Sequence, residues 1–273
     1  MLIAQITDLH IRMPGQKAYR VVETGQYLPP AIEALNNLYV RPDAVIISGD
    51  LTDFGRPQEY AHLRQMLDAL KCRYFLMPGN HDARDELKRT FNDHAYLHTD
   101  SEFLQYTVDD YPVRLLMLDT VVSHESHGQL CPVRLAWLAE RLAEQPGRPT
   151  IIAMHHPPFE TGIAHMDAMG LLEGAPELER LVARYPNIER IICGHVHRTI
   201  FRRFGGTVVS ICPSTAHQIV LDLRPDGPDA FIMEPSAFHL HEWRGGALIT
   251  HHAYIGKFAG PYPFREEGAL IDE

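Results

Sequence analysis

Leu2-Ile3-Ala4-Gln5-Ile6-Thr7-Asp8-Leu9-His10 opens the chain with a short apolar run that breaks into a carboxylate and an imidazole two residues apart. Residues 2–7 read as a short buried strand, with Asp8 and His10 delivered at its carboxyl end. In extended backbone alternate side chains share a side, so these two can grip one ion. The same layout recurs downstream. Ala44 to Ser48 reads as a second strand leading into Gly49-Asp50-Leu51-Thr52-Asp53, and Arg73 to Met77 as a third leading into Gly79-Asn80-His81-Asp82. Between them, Pro29 to Tyr39 carries Ile32, Leu35 and Leu38 on one helical face, and Pro57 to Leu70 carries Tyr60, Leu63, Met66, Leu67 and Leu70. The pattern is β-α-β-α-β.

Strands are also expected at Val113 to Leu118, Thr150 to Met154 and Glu189 to Cys193, with helices near Pro132 to Glu144 and Glu177 to Arg184. This alternation predicts an α/β fold with helices on both faces of a sheet. The last two strands release His155-His156-Pro157-Pro158 and Gly194-His195-Val196-His197. From Arg198 onward, β runs at Thr207 to Ile211, Ile219 to Leu223, Ala230 to Met233, Phe238 to Trp243 and Ala247 to Ala253 predict an antiparallel half. The irregular stretches Ile11 to Leu28 and Pro157 to Pro176 are expected at a pocket rim or cap. Residues 1–273 are expected to form one domain, with cap or oligomerisation elements near 157–176 and 224–273. The segment Gly260 to Glu273 is expected to extend the sandwich and to support a homo-oligomer, dimer or higher.

All five polar clusters follow predicted strands, which is where open α/β sheets assemble their sites. A carboxylate placed like Asp50 can bridge two ions through its two oxygens. Mixed oxygen and nitrogen donors without thiolate suit Mn, Fe, Co or Zn. Two such ions, about 3.5–4 Å apart, can clamp phosphate oxygens and hold a hydroxide nucleophile, the chemistry of in-line phosphate-ester hydrolysis. Seven or eight of the 17 histidines carry this reading; the others fit structural or solvated roles. Asp53 and Asp82 also suit helix capping. Arg12, Lys17 and Arg20 read as solvated loop charges, and Met166-Asp167-Ala168-Met169 with Leu171 and Leu172 as pocket lining, subunit contact or loop packing.

A formal net charge of −10 weighs against a nucleic-acid polymer as partner, whereas bound cations would reverse the local field for a small phosphorylated substrate. The four cysteines have no paired spacing and are expected to be reduced. The N-terminus has no basic-then-apolar leader and the chain no long apolar run, so a cytoplasmic location without membrane insertion is expected.

The ordered set D-x-H, G-D-x-x-D, G-N-H-D, H and G-H-x-H resembles that of the calcineurin-like metallophosphoesterases. The wider layout, Ser48-Gly49-Asp50, Pro78-Gly79-Asn80-His81-Asp82, Met154-His155-His156-Pro157-Pro158 and Cys193-Gly194-His195, is similar to the bacterial branch of class III cyclic nucleotide phosphodiesterases and glycerophosphodiesterases. The likeness spans roughly residues 1–220. It implies a four-layer α-β-β-α sandwich of two mixed sheets flanked by helices. It also implies one ion on Asp8, His10, Asp50 and His197, and a second on Asp50, Asn80, His155 and His195. Spacing alone leaves His155 and His156 open; the family position is His155. By the same resemblance His81 sits over the phosphate, stabilising the transition state or protonating the leaving alkoxide, with Asp53 orienting it. Asn80 is a further expected substrate contact, and His217, in a turn after a β run, is expected either to support a ligand or to contact substrate. The activity implied is hydrolysis of a small phosphodiester, a 3′,5′-cyclic nucleotide or a glycerophosphodiester. A phosphomonoesterase or nucleotidase would use the same ions, a nuclease conflicts with the charge, and a non-enzymatic scaffold would be expected to lack ligands that are all present here.

Overall fold

The computed structural model of the chain describes residues 1–99 and 101–271. Its main strands are β1 (Leu2–Ile6), β2 (Ala44–Ser48), β3 (Arg73–Met77), β4 (Tyr106–Val108), β5 (Arg114–Leu118), β6 (Thr150–Met154), β7 (Ile188–Cys193), β8 (Ile200–Phe204), β9 (Thr207–Ile211), β10 (Ala237–Arg244) and β11 (Ala247–Tyr254). They form a five-stranded sheet in the order β11-β10-β1-β2-β3 and a six-stranded sheet in the order β8-β9-β7-β6-β5-β4. Both sheets are mixed: β1, β2 and β3 run parallel, as do β5, β6, β7 and β9, while β10, β11, β8 and β4 pair antiparallel.

The two-residue alternation of the central strands sets the layers. Leu115, Met117, Ile151, Ala153 and Ile192 join the core shared with the first sheet, whereas Leu116, Leu118, Ile152, Met154, Ile191 and Cys193 face outward. Those outward residues are covered by Leu138 and Leu142 of helix α4 (Pro132–Glu144) and by Leu178, Leu181 and Val182 of α5 (Ala175–Val182). The first sheet is covered by α1 (Leu28–Asn36), α2 (Pro57–Leu67) and α3 (Arg84–Thr90), through Ile32, Leu35, Tyr60, Leu63, Leu67 and Leu87. The result is the expected four-layer α-β-β-α sandwich. Each fully buried aliphatic side chain contributes about 1.5–3 kcal/mol, and a one-residue register slip would exchange the two faces.

Several boundaries differ from expectation. The antiparallel half is not a unit: β8 and β9 extend the second sheet, while β10 and β11 cross back to complete the first. The run Ile219 to Leu223 contributes only Gln218–Ile219, which pairs with Phe231–Ile232, because the intervening residues 221–230 are mostly exposed loop. β4 and β8 escaped the sequence reading; β8 reads Ile-Phe-Arg-Arg-Phe and lies at a sheet edge, where exposed charges replace the apolar signal. Residues 237–254 extend the sandwich, whereas the terminal segment forms a separate pair, Arg265–Glu266 with Ala269–Leu270. Residues 272 and 273 lie outside the described residues.

Candidate metal centre

β1, β2 and β3 of one sheet and β6 and β7 of the other end at one edge of the sandwich, and the five polar clusters meet there. Backbone hydrogen bonds stitch the loops together: Asp8 N donates to Gly49 O at 3.1 Å, His10 N to Asp50 O at 2.9 Å, and Gly194 N to His155 O at 3.1 Å. The Asp8 carboxylate accepts the His195 backbone N–H at 3.0 Å, which joins the two sheets. Close approach requires the motif glycines. A Cβ on Gly79 would lie 2.2 Å from Asp50 Oδ1, and one on Gly194 would lie 2.1 Å from Thr7 Oγ1.

The backbone itself marks the site. Among the described residues, nine non-glycine positions have positive φ, and five of them are expected ligands: Asp8 (52°), His10 (45°), Asp50 (48°), His195 (72°) and His197 (51°). This region costs a residue with a Cβ about 1–2 kcal/mol, and such conformations concentrate where function over-determines them.

The side chains fall into two clusters. In the first, His10 Nδ1 donates to Asp53 Oδ1 at 3.3 Å and His197 Nδ1 donates to the His217 carbonyl at 2.9 Å. With both Nδ1 protons so engaged, the two Nε2 lone pairs converge at 3.2 Å. Asp50 Oδ2 stands 3.6 Å from His10 Nε2, and Asp8 Oδ1 3.4 Å from His197 Nε2. In the second cluster, His155 Nδ1 donates to Ser48 O at 2.9 Å, which turns Nε2 toward Asn80 Oδ1 at 3.2 Å and Asp50 Oδ1 at 3.4 Å. His195 Nδ1 lies 3.1 Å from the same Asn80 oxygen. Asp50 therefore offers one carboxylate oxygen to each cluster.

A convergence of lone pairs and carboxylate oxygens, with few protons to share, is the donor chemistry that a cation satisfies. The residues present fit two metal ions. Electrostatics agree: burial holds His10 below its ordinary pKa, and burial with the neighbouring His155 takes His195 down to about 3, keeping both rings neutral as ligands. Burial also opposes charge on His155, yet the facing carboxylates of Asp50 and Asp8 lift it to about 9, the sign of a locally negative field.

His156 lies beside His155 and His195, but its Nδ1 is 2.8 Å from Thr120 Oγ1 and its Nε2 3.2 Å from Ser126 O. His155, unlike His156, has its Nε2 within 3.4 Å of Asp50 Oδ1. His81 Nδ1 donates to the Asp53 backbone carbonyl at 2.8 Å, while the Asp53 carboxylate faces His10. The expected orienting contact from Asp53 to His81 is thus made through its main chain; the carboxylate oxygen is 3.9 Å away. Neither Asp53 nor Asp82 caps a helix, since Arg56 and Ala83 precede α2 and α3. Asp82 instead accepts the amides of Leu51, Thr52 and Gly79 and the Tyr60 hydroxyl, tying the second ligand loop to the third.

A cavity of about 550 Å³ opens onto Asp50, Asn80, His81 and His217. His217 is buried, with its Nδ1 unpartnered and its ring 4.7 Å from that of His197. Met166 and Met169 also line the cavity, as does Tyr19 of the first irregular stretch; Phe231 and Asp229 do so without any local sequence signal. Arg12, expected to be solvated, is paired with Asp53 at 3.0 Å. All four cysteines are free. Among the described residues, no helix is long and apolar enough to cross a membrane.

Comparison with known proteins places this geometry. A relative from Arcobacter nitrofigilis, named probable glycerophosphodiester phosphodiesterase GpdQ, is 38% identical over 100% of both chains. Glycerophosphodiester phosphodiesterase GpdQ of Enterobacter lignolyticus is 33% identical over 97% of this chain and 95% of its own. The 3′,5′-cyclic adenosine monophosphate phosphodiesterase CpdA of Escherichia coli K12 is 27% identical over 79% of this chain and 76% of its own. The crystal structure of a dimetal phosphatase from Danio rerio shares the fold, with a TM-score of 0.68 at 13% identity over 94% of this chain and 97% of that one. With residues 1–199 matching the family pattern described as calcineurin-like phosphoesterase, the chain belongs to that family.

Proposed function

We propose that the protein is a binuclear metal-dependent phosphodiesterase acting on a small diester, with a glycerophosphodiester as first choice and a 3′,5′-cyclic nucleotide as second. The observation that carries this reading is Asp50, which turns one oxygen to each ligand cluster at the mouth of the cavity. The order of substrates rests on similarity: the GpdQ proteins are 38% and 33% identical over 100% and 97% of the chain, and the cyclic nucleotide phosphodiesterases 27–32% identical over 79–92%. A cavity of about 550 Å³ suits a small ester rather than a polymer.

Asp8, His10, Asp50 and His197 would hold one ion, and Asp50, Asn80, His155 and His195 the other, drawn from Mn, Fe, Co or Zn. Bound ions would supply Lewis acidity toward the phosphoryl oxygens and acidify coordinated water. Asn80 and His217 line the space in which the phosphate is bound. His81 is anchored by Nδ1 on the Asp53 carbonyl, so its Nε2 is the atom placed to donate a proton to the departing alkoxide. Met166, Met169 and Phe231 give the cavity an apolar stretch of wall. Self-association as a dimer or higher would bury the exposed Tyr254, Phe258, Tyr262 and Phe264, to be checked by sedimentation.

The test is a substrate panel on protein loaded with Mn²⁺ or Co²⁺: glycerophosphocholine, 3′,5′-cyclic AMP, bis(p-nitrophenyl) phosphate and p-nitrophenyl phosphate. Diesters should be turned over at the higher kcat/KM, with glycerol 3-phosphate and choline released from the first. A clear monoester preference would overturn the reading in favour of a phosphomonoesterase.

A further inference from the structure

Arg12 lies two residues beyond His10, and its guanidinium is held between two carboxylates. Nη1 is 3.0 Å from Asp53 Oδ2, and Nε is 3.5 Å from Glu59 Oε1. The three side chains are 15%, 6% and 0% exposed. Glu59 is fixed independently of Arg12: its Oε2 accepts the amides of Phe54 and Arg56 at the start of α2, at 3.0 and 3.3 Å. Its Oε1 has no hydrogen-bond partner and faces the guanidinium. Phe54 covers the guanidinium at 4.5 Å, and Nη2 donates to Gln16 Oε1 at 3.1 Å on the rim loop.

This arrangement decides where the other Asp53 oxygen points. Asp53 Oδ1 is 3.3 Å from His10 Nδ1 and 3.9 Å from His81 Nδ1, so two imidazoles lie within reach of one atom. With Oδ2 anchored on Arg12, the carboxylate plane is fixed and Oδ1 is given to His10. His10 then keeps its proton on Nδ1 and presents Nε2 toward His197 and Asp50. Released from Arg12, the carboxylate can rotate toward His81, and His10 loses the acceptor that sets its tautomer and orientation.

We propose that Arg12 is a positioning residue for the ion held at His10, acting through a chain that runs from α2 by way of Glu59, Arg12 and Asp53. The proposal rests on the metal-centre reading given above. It is tested by calorimetric titration of metal-stripped, full-length protein with Mn²⁺, using the parent, Arg12→Ala, Arg12→Lys and, as a control on the same loop, the exposed Arg20→Ala. The parent and Arg20→Ala should bind two ions alike. Arg12→Ala should weaken one of the two by about tenfold, the low end of the range for outer hydrogen-bonding partners of ligands, and leave the other unchanged. Arg12→Lys, which keeps one charge but not the fork, should recover part of the loss. In an Asn80→Ala background, where the retained ion is the one at His10, Arg12→Ala should weaken that ion by a similar factor. Parent-like binding by Arg12→Ala would overturn the proposal, as would an equal loss at both sites together with a lowered melting temperature. A parent that binds fewer than two ions would instead defeat the metal-centre reading itself.

Discussion

The two ligand clusters share Asp50 but are built differently. Around His10 and His197, both imidazoles are anchored through Nδ1 on fixed acceptors, and two carboxylates, Asp8 and Asp50, face the point where the Nε2 atoms converge. Around Asn80, one carboxylate is joined by a neutral amide. Only His155 is anchored through Nδ1, because His195 turns Nδ1 toward Asn80 and leaves its Nε2 without a partner. The first cluster is thus more anionic and more firmly preorganised. Its ion should bind more tightly, while the second ion, held partly by an amide beside the cavity, should exchange more readily.

The strongest way to break this comparison is to remove what the clusters share. Asp50→Ala should abolish the binding of both ions and lower kcat/KM by about 10³-fold or more, since Lewis-acid stabilisation is worth several kcal/mol. Metal analysis and steady-state kinetics on one preparation check both effects, and retention of either ion at parental affinity would contradict the bridging role. His81→Ala separates holding ions from moving protons. It should leave both affinities unchanged and reduce turnover of an alkyl diester by about 10²-fold or more, with a smaller loss on a p-nitrophenyl ester, whose leaving group needs little protonation.

His155→Ala should weaken the second ion by at least about 10–100-fold, the range already seen for mere outer partners of ligands. His156→Ala should leave both ions bound, because both of its nitrogens are engaged elsewhere; two-site titration decides between the rings. Asn80→Asp narrows the gap between the clusters. An added charge near a cation is worth about 1 kcal/mol even at the dielectric of water, so the second ion should tighten roughly fivefold or more. Two affinities left as far apart as in the parent would show that anchoring rather than charge sets the difference.

The proposed ligand positions were legible because each follows a parallel strand: Asp8, Asp50, Asn80, His155 and His195 sit one to three residues past β1, β2, β3, β6 and β7. Strand ends are local signals. The supports of those ligands were not legible. Arg12 looked like a loop charge because its partners Asp53 and Glu59 are 41 and 47 positions away in sequence, and the pairing arises only when α2 packs beside the first loop. Asp82 looked like a cap because Asp often is one, yet its carboxylate reaches back to Leu51 and Thr52. The proposed preference for His155 over His156 has the same character, for it rests on the carbonyl of Ser48, 107 positions upstream. The missed strands lie at the sheet edges, where β4 and β8 are short or charged and the pattern of burial fades.

The left-handed backbone of Asp8, His10, Asp50, His195 and His197 gives the protein a property that no single contact shows. These five bent positions, held against their own preference by rigid strands, would act like a set spring for which the proposed cations are the latch. A ligand that binds only the folded chain raises stability by an amount that grows with the logarithm of its concentration, about 2.7 kcal/mol at a hundredfold excess over Kd. The heat resistance of the molecule would then be a gauge of cation supply. A cell short of these metals would hold copies that are both idle and softer, and so easier to clear.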